Sequence, residues 1–192
     1  MKVVGISGTI MGSKTKIAMQ YVMEHVREVH PKAEVNFLDL SQFELVFSDG
    51  RAYEEYEGDT LQVLQTIMEA DALIIGSPTF QSSIPAPLKN IFDLLPVNGL
   101  KGKVVSLVVT AGSPKHFLMA EQQIKPILIY LKATLVPSYV FIETKDYVDN
   151  KIVNEDVFYR LNKLIYHTVE TLRAREYLKN SKQESFINNH HE

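Results

Sequence analysis

Five short apolar runs punctuate the sequence, and each is followed by a stretch of helical spacing. The runs are "KVVGIS" (2–7), "AEVNFLDL" (33–40), "DALIIGSP" (71–78), "GKVVSLVVTAG" (102–112) and "SYVFIE" (138–143). They are short, rich in β-branched residues and apolar on both faces, which is the pattern of strands buried inside a parallel sheet. Between them, helices are predicted over Lys14 to about Val29, Thr60 to Ala70, Ala86 to Pro96, Phe117 to Lys132 and Asp156 to Arg173. In the first, Ile17, Ala18, Tyr21, Val22 and Val26 recur at helical intervals, and Pro31 stops it. Pro126 interrupts the fourth. In the last, Val157, Leu161, Leu164, Ile165, Val169 and Leu172 form the inward face.

Strictly alternating strands and helices imply a doubly wound α/β domain with helices on both faces of the sheet. With five strands, the flavodoxin-like order 2-1-3-4-5 is the economical arrangement. The 192 residues suffice for one domain, read as 1–174, with 175–192 as a polar, frayed tail. Apolar residues make up 45% and charged residues 22%, the balance of a globular chain. A net charge of −3 gives no support to a nucleic-acid surface, and no apolar run is long enough to cross a bilayer. Met1-Lys2 leads straight into a strand-like run with no cleavable signal, so a cytoplasmic protein is expected. The absence of cysteine removes disulfides, thiolate nucleophiles and cysteine metal sites, and with them a cysteine-dependent phosphatase of similar architecture.

In such a sheet, ligands lie beyond the carboxyl ends of the strands, near the switch point. Three loops meet there: "SGTIMGSKT" after the first strand, "SPTFQSSIPAP" after the third and "TAGSPKH" after the fourth. Turns and helix caps use Gly, Ser, Thr and Pro in any case, but three such loops converging on one edge point to a ligand site. The first matches neither the Walker pattern nor the dinucleotide fingerprint. Its hydroxyls at Ser7, Thr9, Ser13 and Thr15 precede or open a helix whose N-terminus favours an anion, and Lys14 or Lys16 adds charge. Ser13 also reads as a plain helix cap. In the second loop, Phe80 beside Pro78 offers a flat apolar wall, or else a loop anchor packed on the core. In the third, Gly112 lets the backbone approach a ligand. A phosphate site next to a slot for a planar ring describes flavin mononucleotide (FMN). Hydride transfer needs no catalytic side chain then, because the cofactor carries the chemistry.

The sequence resembles the NADPH-dependent FMN reductase family of flavodoxin-like proteins over about residues 1–170. The resemblance is carried by "VVGISGT…SKT", by "DALIIGSPTFQSSIPAPLKNIFDLLP" and by "GLKGKVVSLVVTAGSPKHFLMAEQQIKPILIYLKA". The last is similar to flavin reductases that deliver reduced FMN to sulfonate monooxygenases. The resemblance implies that Ser7, Thr9, Ser13, Lys14 and Thr15 hold the FMN phosphate. It implies that Pro78, Thr79, Phe80 and Gln81 line the isoalloxazine, with Ala111, Gly112 and Ser113 closing the other side, and that NADPH or NADH supplies the hydride. Two positions depart from the pattern. Ile10-Met11 stands where an arginine is common, leaving the charge to Lys14. Gln123 stands where the two-component subgroup inserts a tyrosine that forms a π-bulge at its tetramer interface. A protein without that tyrosine would keep FMN bound and reduce a quinone, an azo dye or free flavin; a flavodoxin-type electron carrier is the non-enzymatic alternative. The 117–132 helix is apolar over more than one face, from Phe117 and Leu118 to Ile129, Tyr130 and Leu131. This predicts a dimer or tetramer through that helix, the alternative being cover by the C-terminal segment. A flavin-dependent monooxygenase is the partner that the resemblance suggests.

Overall fold

The computed structural model describes residues 1–188; the end of the expected tail, 189–192, lies outside the described residues. The strands are β1 (Lys2–Ser7), β2 (Glu34–Asp39), β3 (Ala72–Pro78), β4 (Val104–Ala111), β5 (Thr134–Leu135) and β6 (Val140–Glu143). The helices are α1 (Lys14–Val29), α2 (Gly58–Met68), α3 (Ala86–Leu94), α4 (Lys125–Tyr130) and α5 (Glu155–Asn188). The sheet is parallel with order β2-β1-β3-β4-β5, and β6 also pairs with β4. The expected flavodoxin-like arrangement is therefore the observed one.

The fifth sheet position differs from the single strand expected over 138–143. It is split into β5 and β6, with Pro137 and Ser138 between them. Pro137 has no N–H to give to the ladder, so pairing with β4 stops at Val105↔Leu135 and resumes at Val108↔Val140.

Alternating residues of each strand feed two separate cores. Val4, Ile6, Leu73, Ile75, Val105, Leu107 and Val109 pack under α2, α3 and α4. Val3, Ala72, Ile74, Val104, Val108, Val140 and Ile142 pack under α1 and α5. This is the period of two that strand geometry imposes, with apolar residues required on both faces. Truncating a fully buried side chain such as Ile74 or Ile75 would cost about 2–5 kcal/mol. All six residues expected on the inner face of the last helix are buried. That helix continues past the expected end at Arg173, to Asn188.

The continuous helix expected over Phe117–Lys132 is not formed. A 3₁₀ turn covers Pro114–His116, a π-helical turn covers Ala120–Ile124, and only Lys125–Tyr130 is α-helical. Lys125 N–H donates to the Ala120 carbonyl, five residues back. Pro126 explains the break: it lacks an N–H and its ring displaces the carbonyl four residues earlier, so the preceding turn widens.

Beyond β6 the chain forms a small antiparallel hairpin, β7 (Tyr147–Val148) and β8 (Lys151–Ile152). Asp149 and Asn150 join its strands, both in the left-handed region at φ 47° and 57°. Two such residues in succession make the type I′ connection that suits the strand twist, and Asp and Asn tolerate it best among residues with a side chain.

Candidate functional site

The parallel register brings the carboxyl ends of the strands to one edge: Ser7 pairs with Asp39 and Gly76, Pro78 with Thr110, and Ala111 with Glu143. A cleft of about 290 Å³ opens there. Its floor and walls come from four segments. Met11, Gly12, Ser13, Lys14 and Thr15 come from the loop entering α1, and Pro78, Thr79 and Phe80 from the end of β3. Thr110, Ala111 and Gly112 come from the end of β4, and Thr144 and Asn150 from beyond β6.

The loop entering α1 is fixed at both ends. Gly8 N–H donates to Gly76 O at 2.8 Å. A Cβ at Gly8 would stand 2.9 Å from that carbonyl, so this glycine serves strand-to-strand approach. Gly12 is different. It lies in the left-handed region at φ 78°, and a Cβ there would meet nothing within 4 Å. Gly12 thus serves the turn on the cleft wall. Thr9 is occupied locally, its Oγ1 donating to Met11 O at 2.5 Å and accepting from Met11 N at 3.1 Å. Thr15 Oγ1 lies 2.6 Å from Thr110 Oγ1, a buried contact that clamps the first turn of α1 to β4.

Ser13 occupies the N-cap position of α1, yet its side chain does not cap the helix. Its Oγ donates instead to Asn150 Oδ1 at 2.7 Å. The first turn of a 16-residue helix therefore faces the cleft without a side-chain acceptor from its own cap and without an acidic residue. That end carries partial positive charge and N–H donors. Lys14 reaches across to Thr144, Nζ to Oγ1 at 3.3 Å. Lys16 points elsewhere, to Asp39 at 2.7 Å. Burial alone would push the Asp39 carboxyl up, but Lys16 and the hydrogen bonds from Ser41 outweigh it and hold the group below the usual carboxylate range. Of the two loop lysines, then, Lys14 supplies the charge at the cleft.

The loop after β3 is a tight reversal. Phe80 and Ser83 exchange both backbone hydrogen bonds at 2.9 Å, with Gln81 and Ser82 left-handed between them. Thr79 N–H donates to Thr110 O, so the backbone donors of Thr79 and Phe80 are already committed. What this loop offers is the Phe80 ring, 40% exposed, and the Thr79 hydroxyl, which is buried and has no hydrogen-bond partner among the described residues. Gly112, which lines the cleft from the end of β4, has open space where a Cβ would stand.

The cleft therefore unites Ser13, Lys14, Thr15, Pro78, Thr79, Phe80, Ala111 and Gly112 of the expected set. Ser7 is fully buried at the end of β1. Gln81 lies at the exposed tip of the reversal. Ser113 caps the 3₁₀ turn, accepting from Lys115 N–H. These three and Thr9 do not line the cleft. Thr110, Thr144 and Asn150 do, and the sequence reading missed them. The signal that could have found Asn150 is the Asp149-Asn150 pair between "YV" and "KI", a two-residue hairpin connection.

These features fit FMN. A helix N-terminus with a lysine beside it suits a phosphate dianion. An exposed aromatic ring, a glycine and a buried hydroxyl with no partner among the described residues line this same cleft, and together they suit a planar heteroaromatic ring. No cluster of metal-ligand side chains occurs among the described residues.

Comparison with known proteins agrees. A family model described as NADPH-dependent FMN reductase matches residues 1–146. An NAD(P)H-dependent FAD/FMN reductase of Geobacillus thermodenitrificans (strain NG80-2) is 36% identical over 170 residues, covering 88% of this chain and 92% of that protein. The NADH-dependent FMN reductase SfnF of Pseudomonas fluorescens (strain Pf0-1) is 29% identical over 162 residues, covering 84% and 86%. Among solved structures, an apo NADH:FMN oxidoreductase (EMOB) superposes with a TM-score of 0.73 at 24% identity, covering 87% of each chain. With its cleft, its fold and these relatives taken together, the chain belongs to the NADPH-dependent FMN reductase family.

Proposed function

We propose that the protein reduces FMN with a hydride from NADPH or NADH and works through the cleft described above. The observation that supports this reading is that the N-terminal residues of α1 with Lys14, the Phe80 ring and Gly112 all line one cleft, a set suited to a phosphate and a planar ring. The set Ser13, Lys14 and Thr15 holds the phosphate, with Lys14 giving a charge-assisted hydrogen bond. Pro78, Thr79 and Phe80 hold one side of the ring system, and Ala111 and Gly112 the other. Ser7, Thr9, Gln81 and Ser113 support these groups from behind or beside them. When bound, FMN supplies the redox chemistry by accepting the hydride. The side chains orient it and hold its charge, and no residue of the cleft has to act as an acid or base.

The π-helical turn over Ala120–Ile124 forms here with Gln123 at the position where the two-component subgroup has a tyrosine. The departure at that position therefore does not itself argue for a permanently held flavin, and we read FMN as an exchanging substrate. The reduced flavin would pass to a flavin-dependent monooxygenase. A cytoplasmic homotetramer built from residues 1–174 completes the reading. Its support is the apolar surface left uncovered by one chain around α4, where Phe117, Leu118, Ile129 and Tyr130 are exposed. The buried residues of α5, from Val157 to Leu172, pack on the opposite sheet face.

The test is an FMN titration by flavin fluorescence quenching on the wild type and on Lys14→Ala combined with Ser13→Ala. Each lost charge-assisted bond should cost about 1.5–3 kcal/mol, so affinity should fall at least about tenfold. An unchanged dissociation constant would remove this loop from the site. Protein that loses its yellow colour on dialysis supports FMN as substrate; protein that stays yellow supports a quinone or azo reductase with bound flavin.

A further inference from the structure

The chain holds six methionines, and burial sorts them. Met19, Met23 and Met119 are buried, and Met68 is half-buried. Met1 is exposed, but it stands at the amino end of β1 and does not line the cleft. Met11 is 70% exposed and lines the cleft beside Gly12 and Ser13. Its backbone is held in place. Thr9 Oγ1 donates to Met11 O and accepts from Met11 N–H, and Gly12 follows in the left-handed region. The loop thus fixes an accessible thioether on the cleft wall, next to the first turn of α1. Exposure decides which thioether an oxidant in solution reaches first.

We propose that Met11 is a site of oxidation by hydrogen peroxide and that its sulfoxide weakens flavin binding, so that peroxide arising from reduced flavin turns the site down. This rests on the reading of the cleft as a flavin site. Reduced flavin that meets dioxygen passes it two electrons and two protons, which makes hydrogen peroxide. The Met11 sulfur then attacks one peroxide oxygen. The O–O bond breaks and an S–O bond forms; sulfur is oxidised by two electrons, and the second oxygen leaves as water. An apolar group becomes a polar one. The sulfoxide oxygen carries partial negative charge and accepts hydrogen bonds. The first turn of α1, next along the chain, has N–H donors that neither the side chain of its cap nor an acidic residue occupies. Oxidised Met11 competes with a phosphate for those donors and repels its charge. Met11 belongs to neither buried core, so the fold is left intact. The change is reversed by methionine sulfoxide reductases, one for each epimer.

The test treats the full chain with dilute hydrogen peroxide, stops the reaction with catalase, and follows it by peptide mass mapping and by FMN titration. Met11 should gain one oxygen well before Met19, Met23 and Met119 do. The FMN dissociation constant should then rise about threefold or more, and both sulfoxide reductases together should restore it. Met11→Leu, compared with itself before and after the same treatment, should show no rise. Wild type cycled in air with FMN and a reduced nicotinamide should gain the same oxygen at Met11, and catalase should prevent it. Buried methionines oxidised as fast as Met11, an unchanged FMN affinity once Met11 is oxidised, an equal rise in Met11→Leu, or cycling that leaves Met11 untouched would each overturn the proposal while leaving the flavin site standing. Untreated protein that does not bind FMN would overturn the reading of the cleft, and the proposal with it.

Discussion

Ser83 Oγ donates to Gln123 Oε1 across 3.1 Å, tying the loop that carries Phe80 to the π-helical turn that follows β4. The contact is exposed, so Gln123→Ala should change global stability by no more than about 0.5–1.5 kcal/mol. It should loosen the Phe80 loop and weaken FMN binding about threefold, read by titration beside a thermal melt. A variant with unaltered FMN affinity would show that the loop is held by its own backbone bonds alone.

Phe80→Ala separates ligand contact from core packing. The ring is 40% exposed, and it belongs to neither buried core. Melting of the apo protein should shift by about 0.5 kcal/mol or less, as for a surface substitution. FMN affinity should drop about three- to tenfold, matching the loss of one aromatic contact. A large loss of apo stability with normal affinity would mark Phe80 as a packing anchor.

The strands were legible because a buried parallel sheet demands apolar residues on both faces, and Val3 and Val4, or Leu73 and Ile74, satisfy opposite faces in turn. The convergence of three loops followed from that topology. The fourth wall was not legible in the same way. Strands of two residues, such as Tyr147–Val148, are too short to show a period, and Asn150 acquires its role only through a contact 137 residues away. The 117–132 helix misled for a different reason: side-chain periodicity says nothing of the backbone bond that Pro126 removes. Nor does sequence distinguish Gly8, needed for contact with Gly76, from Gly12, needed on the cleft wall.

Asp39 carries an acid-dependent share of the stability near the site. Its folded pKa is depressed below the ordinary 3.8 by Lys16 and Ser41 acting against burial. A depressed carboxylate contributes stability above its unfolded pKa and loses it as pH falls through the folded value. Asp39→Asn should thus be less stable than wild type by about 1–2 kcal/mol at neutral pH. In urea unfolding series, the difference should hold down to roughly pH 4 and shrink below it. A difference that is the same in acid would mean that the loss is one of packing.

Tyr130 and Val97 mark the apolar groove beside α4, with exposures of 70% and 77%. Light scattering of the native protein should give a dimer or tetramer at micromolar concentration. Tyr130→Glu should shift it toward monomer, because burying an unpaired charge in an interface costs several kcal/mol. A wild-type monomer would contradict the assembly.

Hydride transfer from a reduced nicotinamide to FMN in this cleft can be followed in an anaerobic reaction of the purified protein with equimolar FMN and NADPH, repeated with NADH. The visible flavin absorbance should bleach in step with the loss of the reduced-nicotinamide band, one flavin per nicotinamide, with at least one of the two donors and only when protein is present. The Lys14→Ala, Ser13→Ala double variant should need more FMN to reach the same rate. Flavin that stays oxidised with both donors, or bleaching at the same rate without the protein, would rule out hydride transfer to FMN by this protein.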